Sequence, residues 1–127
     1  MHIPDGIVSD SLSLAAMIGS VFAVGVSLYK LRKGQALRAM QDKVVPALAA
    51  LVFAAQMVNF PVGGGTSGHF IGGALAAILL GPSAALVVLT VVLAVQSVAF
   101  ADGGMTALGL NVLNMGLVGG VLASFVS

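Results

Sequence analysis

Apolar positions along this chain come in long unbroken runs, not in the narrow stripes of a soluble helix. A first run extends from Leu12 to Leu28, a second from Val44 to Phe60, a fourth from Ala84 to Phe100 and a fifth from Ala107 to Val126. Crossing a bilayer takes about 20 mostly apolar residues, with a range of roughly 17–25, so these four are long enough. The third run, Phe70–Leu80, is short, and Gly81-Pro82-Ser83 breaks it. It reads as a short or re-entrant helix. The pattern predicts an all-α, polytopic membrane helix bundle with about five hydrophobic segments, forming a single integral membrane domain over residues 1–127.

The polar stretches orient that bundle. All five basic residues, Lys30, Arg32, Lys33, Arg38 and Lys43, lie in the first loop, Tyr29–Lys43. Cytoplasmic loops carry the excess of Lys and Arg, so the amino terminus and the glycine-rich Pro61–Gly68 stretch fall on the outer face. If Phe70–Leu80 crosses, Gln56, Asn59, Gln96, Asn111 and Asn114 gather in the outer third of the membrane. Intramembrane polar side chains are costly and face a bundle interior or a cavity. Together with Thr66 and Ser67 they form either an outer shell that orients ligands or ordinary interhelical hydrogen bonds, worth about 0.6 kcal/mol each.

Composition narrows the chemistry. The chain is 59% hydrophobic and 7% charged, against roughly 25% charged residues in a soluble domain. A net charge of +1 without a basic patch gives no footprint for nucleic acid. With no cysteine, disulfides, thiolate zinc sites and iron–sulfur clusters are excluded. The start, MHIPDGIVSD, has no basic region before the first apolar run, so it is not expected to be a cleaved signal peptide. Gly63–Gly68 fits G-x-G-x-x-G by letter, but it follows a membrane segment, not a strand. His69-Phe70 stands where a phosphate loop needs Lys and Ser or Thr. The glycines serve close backbone approach, letting an irregular loop fold over a site.

Met1-His2 carries the candidate chemistry. A free terminal amine, the backbone nitrogen of His2 and its imidazole close fused five- and six-membered rings around one divalent cation and leave a fourth planar position. The only other histidine, His69, is placed by topology on the same face. Four planar nitrogens suit Ni(II) or Cu(II), and Co(II) can follow. A second pattern is small residues at four-residue spacing: Ala15, Gly19 and Ala23, then Ala50 and Ala54, then Gly116, Gly120 and Ser124. Such faces bring helices close in lipid, either within the chain or against another membrane subunit.

Met1-His-Ile-Pro-Asp-Gly6, Gly64-Gly-Thr-Ser-Gly-His69, Gly81-Pro82 and Asp102-Gly-Gly-Met-Thr-Ala-Leu-Gly109, with Asn111 and Asn114-Met115, resemble the CbiM/NikM family in order and over nearly the whole chain. These are substrate-binding components of energy-coupling-factor transporters for cobalt and nickel. The resemblance implies Ni(II) or Co(II) held by Met1, His2 and His69 as cargo, without an organic cofactor. It implies a transmembrane coupling subunit, separate cytoplasmic ATPase subunits and room for a small accessory membrane subunit. It also implies a multi-pass place in the bacterial inner membrane, a link to cobalamin biosynthesis and no enzymatic activity of its own. Members of the family are longer, so this chain is expected to cover their amino-terminal part. The Pro4-Asp5 variant leans toward the nickel branch. The competing readings are a binding subunit for an organic micronutrient, disfavoured by the absence of Trp and 6% aromatics, and a structural membrane subunit.

Overall fold

The protein is seen in a computed structural model that describes residues 2–34, 44–63 and 67–120. Among these it has five helices: α1 (Asp10–Lys33), α2 (Val44–Met57), α3 (Gly73–Leu80), α4 (Pro82–Phe100) and α5 (Leu108–Val118). Each falls inside or around one of the apolar runs. α1 reaches further than its run, because Lys30, Arg32 and Lys33 complete its last turn, where cations complement the helix dipole. The rest of the expected basic loop, with Arg38 and Lys43, lies outside the described residues. α5 starts as an α-turn and continues with wider π-helical bonding over Val112–Val118. The glycine stretch is not wholly irregular: Phe60–Pro61 (β1) and Ser67–Gly68 (β2) pair antiparallel, Phe60 opposite Gly68 and Pro61 opposite Ser67.

Helix length decides what can span. At 1.5 Å per residue α4 is about 28 Å long, close to the roughly 30 Å hydrocarbon core. α1 and α4 are long and apolar enough to cross a membrane, and α3, at about 12 Å, is not. α3 folds back on α4 at Gly81, which has φ 81°. Pro82 then opens α4 at a position where its missing N–H costs nothing. A methyl group on Gly73 would lie 3.3 Å from Leu89 Cδ1, so the two helices run side by side away from the turn. Val52, Leu89, Leu93 and Val112 are the buried centre of the bundle. Leu14, Ile18, Val21 and Phe22 turn outward from α1, exposed by 63%, 63%, 65% and 74%, as a lipid-facing surface requires.

The inward face of α1 is Ser13, Ala16, Ser20, Ser27 and Leu31. Of the two uses expected for the small-residue stripe, packing within the chain accounts for only part of it: Ala15 is exposed, Gly19 is half-buried against Leu113, and Ala23 packs on the core. Serine at this face is as good as alanine for close packing, and the Ser20 hydroxyl is satisfied by the Met17 carbonyl at 2.8 Å. On α2 the inward residues are Val45, Leu48, Val52 and Gln56, and Ala50 and Ala54 are exposed. Ala15, Ala50 and Ala54 therefore do not pack the interior. Gly116 does, directly over Leu86, and Ser124 lies outside the described residues.

Ahead of α1, residues 2–6 form a strap across the α4–α5 connection. Ile3 N–H donates to Asn111 Oδ1 at 2.8 Å, Asn111 Nδ2 donates back to the Ile3 carbonyl at 3.1 Å, and Gly104 N–H donates to the same carbonyl at 3.0 Å. The Asp5 carboxylate accepts the Thr106 hydroxyl and the N–H groups of Met105 and Thr106. A side chain on Gly104 would collide with Asp5, so the approach needs glycine there. The Thr106 hydroxyl first, then the Thr106 and Met105 N–H groups, holds the Asp5 carboxyl below the ordinary carboxylate range.

Two outcomes follow from this packing. Asp5 has a lower pKa folded than unfolded, so its hold on the strap is present above about 3.9 and is lost as pH falls through the lower folded value. In an NMR titration the Thr106 amide resonance should stay fixed from neutral pH to about 3.9 and move only below it. A transition centred above that value contradicts the contact. A methyl group on Gly109 would stand 2.5 Å from Met17 N and Cα, whereas one on Gly25 meets nothing within 4 Å. Gly109→Ala should cost about 1–3 kcal/mol, read as a lower unfolding midpoint in detergent, and Gly25→Ala should not. Equal midpoints for Gly109→Ala and the parent contradict the close α1–α5 approach.

Candidate metal site

Two arms bring the histidines together. His2 rides on the strap, one residue before the Ile3–Asn111 bridge, and its side chain is only 2% exposed. Its seat is the backbone of Gly103, where a methyl group would lie 3.1 Å from His2 Cβ. His69 follows β2 on the second arm and is 7% exposed. That arm is fixed from α2: Gln56 Nε2 donates to the Ile71 carbonyl at 2.6 Å, and Gly72 sits against Val52 with φ 78°. No residue with a side chain adopts that conformation beside Val52 without displacement. The two imidazoles stack, with centroids 4.7 Å apart and planes 25° from parallel.

Hydrogen-bond partners assign the ring protons. His69 Nδ1 lies 2.8 Å from the Phe70 carbonyl, an obligate acceptor, so Nδ1 carries a proton and Nε2 is the nitrogen left facing the interior. His2 Nδ1 lies 2.9 Å from Asp102 Oδ1, which likewise orients the ring as a donor at Nδ1. Burial lowers the His2 pKa and outweighs the opposing pull of Asp102, so the ring is neutral at pH 7, the form that ligates metals. A carboxylate or carbonyl behind each imidazole is the usual outer partner of a metal-binding histidine. One consequence differs from expectation: a six-membered chelate ring needs Nδ1 of His2, and here that nitrogen faces Asp102.

Buried polar atoms without a hydrogen-bond partner among the described residues are His2 Nε2, His69 Nε2, Asp102 Oδ2, Gln56 Oε1 and both amide atoms of Gln96. Native interiors leave few such atoms. These belong to residues joined by the contacts just given, with Gln96 tied to Asp102 through its carbonyl at 3.1 Å. They mark a polar interior at one end of the bundle. Lys30, Arg32 and Lys33 close α1 at the other end, beside Pro82 and Ser83 at the start of α4.

The expected outer shell divides. Gln56, Gln96 and Asn111 are buried around the two arms, and Ser67 lies two residues before His69 in β2. Asn59 and Asn114 are exposed and are corrected out of the shell: Asn59 follows the end of α2, and the π-helical turn of α5 directs Asn114 outward. Met1 and Thr66 lie outside the described residues. Asp102 and Asp5 were missed, although each is one of just four acidic residues in a largely apolar chain and both flank glycines. That scarcity was the available signal. Among the described residues no group of three or more His, Cys, Asp or Glu side chains converges on one point.

Comparison with known proteins agrees in kind. The family model described as "CbiM: Cobalt uptake substrate-specific transmembrane region" matches residues 2–127. A protein of Archaeoglobus fulgidus that bears the name of a fused nickel transport protein is 52% identical over 93% of this chain and 38% of its own length. A cobalt transport protein of Pelobacter propionicus is 32% identical over 99% of this chain and 56% of its own. A crystal structure of a transition metal transporter superposes with TM-score 0.82 and 37% identity, covering 95% of this chain and 52% of that one. The chain thus spans about half or less of the length of these relatives. It is a mostly helical membrane protein, and it belongs to the CbiM family of cobalt and nickel transport proteins.

Proposed function

We propose that this chain captures Ni(II) or Co(II) at the outer face of the bacterial inner membrane, as the substrate-binding component of an ATP-driven uptake system. The observation that carries the reading is the pair of buried, stacked imidazoles, each with a proton acceptor behind Nδ1. His2 and His69 each supply a nitrogen, and the Met1 amine and the His2 main-chain nitrogen fill the remaining planar positions. Closing the chelate would move the His2 ring proton from Nδ1 to Nε2, so that the metal replaces Asp102 at Nδ1 while the imidazole stays neutral and Asp102 stays a carboxylate. Charge then balances: a 2+ ion, one deprotonated amide and the Asp102 carboxylate sum to zero. A neutral cluster is what a low-dielectric interior tolerates, since an uncompensated buried charge is very costly.

The basic end of α1 lies inside by the positive-inside rule, so the histidine end opens outward. The chain crosses several times, α1 and α4 fully, with α3 as the short element. It is not an enzyme: ATP hydrolysis belongs to cytoplasmic ATPase subunits working through a transmembrane coupling subunit, with a small accessory membrane subunit as a further partner. The exposed small residues Ala15, Ala50 and Ala54 suit close approach by another membrane helix.

Calorimetry with nickel and cobalt on the purified protein and on His69→Ala tests the site. Outer-shell changes alone cost about 10–100-fold in affinity, so loss of the His69 imidazole should cost at least about 100-fold. His69→Ala with unchanged affinity removes His69 from the site. A second arm tests the amine, with intact-mass analysis confirming that residue 1 is the terminus. Adding Gly before Met1 creates a chain whose amine, two amides and imidazole can bind metal without His69. Peptide-level binding should survive while uptake by cells carrying the partner subunits collapses; native uptake from a protein retaining the extra Gly contradicts the chelate.

A further inference from the structure

We propose that Asn111 is the positioning residue that sets the register of the amino-terminal strap, reading the main chain of residue 3 and so fixing where His2 presents its nitrogens. The inference rests on the metal-capture reading above and deepens it.

The geometry is specific. The Asn111 carboxamide takes both polar groups of one residue's backbone, the Ile3 N–H at 2.8 Å on Oδ1 and the Ile3 carbonyl at 3.1 Å on Nδ2. A main-chain N–H can only donate and a carbonyl only accept, so the amide orientation is unambiguous. Gly104 N–H fills the second lone pair of the same carbonyl. Both polar groups of the Ile3 main chain are therefore satisfied, although the residue lies in no strand. Asn111 is 2% exposed, and it belongs to the first turn of α5, which packs through Gly109 onto the backbone of α1. The clamp is thus anchored to the bundle and not to a loop.

None of these bonds uses the Ile3 side chain. The clamp recognises a position in the chain and is indifferent to the residue there. One residue further toward the terminus is His2, whose Cβ rests on Gly103, and Gly103 in turn is seated by the Ser97 hydroxyl through its carbonyl at 3.1 Å. A slip of one residue would place a different backbone unit in the clamp and carry the imidazole away from both Asp102 and His69. Only a chain held in this register brings His2 to the second imidazole.

The test uses the full chain in detergent or nanodiscs, with nickel chloride as probe. Asn111→Leu keeps the approximate volume and removes both bonds; Asn111→Ala repeats the comparison if the leucine variant does not fold. Each should weaken nickel affinity by about 10–100-fold, the range for outer-shell partners, and speed hydrogen exchange at the Ile3 amide while α4 core amides remain protected. Ile3→Ala, which keeps the backbone, should bind within about twofold of the parent. An Asn111 variant that is folded and binds nickel like the parent overturns the proposal. So does an Ile3→Ala protein that loses as much as Asn111→Leu, because the side chain would then be what is held. If the parent itself binds neither nickel nor cobalt, the metal reading falls, and exchange at the Ile3 amide still decides whether Asn111 holds the strap.

Discussion

The strap on which His2 rides has little apolar surface to bury, and Pro4 and Gly6 keep it out of helix. It is ordered by polar contacts: the Asn111 amide and Gly104 N–H on Ile3, three donors on Asp5, and Asp102 on the His2 imidazole. In water such bonds exchange against solvent and net about 0.5–1.5 kcal/mol each. The Asp5 bonds lie at the exposed surface, but those to Ile3 and the His2 imidazole are part-buried, and leaving them unmade costs the desolvation of each group as well. The close approach they require explains why the α4–α5 connection carries Gly103 and Gly104 together. It also explains why one residue of α5, Asn111, is polar in an otherwise apolar turn. The His2–His69 stack depends on that docking, since nothing else joins the amino terminus to the second arm among the described contacts.

Much of the helix layout was legible because membrane segments announce themselves by length. The runs beginning at Val44 and Ala84 locate α2 and α4, and Gly81-Pro82 locates the turn between α3 and α4. The run itself cannot tell which face of a uniformly apolar helix turns inward. Ala15 and Ala16 are equally small, and it is the close approach of Gly109 on α5 to the backbone of Ala16 and Met17 that shows which face turns inward. The same limit misplaced Asn114. A regular α-helix keeps Asn111 and Asn114 near one face, but the π-helical bonding from Val112 advances each residue by less than 100° and turns Asn114 outward.

At the site, the histidines stood out in sequence through scarcity and topology, and Gln56, Gln96 and Asn111 through the cost of polar groups in lipid. Asp102 did not, because a lone acid beside two glycines looks like any loop. Its meaning comes from the residue it faces, a hundred positions away in the chain. That contact bears on selectivity. Copper binds a planar nitrogen site more tightly than nickel or cobalt, so on the proposed reading discrimination would have to come from metal availability and from how well the two arms fit the ion. A carboxylate competing with a metal for His2 Nδ1 would then make capture depend on both arms and not on nitrogen affinity alone.

X-ray absorption at the nickel edge of the loaded protein tests the central claim most directly. The account predicts a low-coordinate shell of nitrogen donors with outer-shell scattering from two imidazoles, reduced to one in His69→Ala. A six-coordinate oxygen-rich shell without imidazole scattering would contradict it.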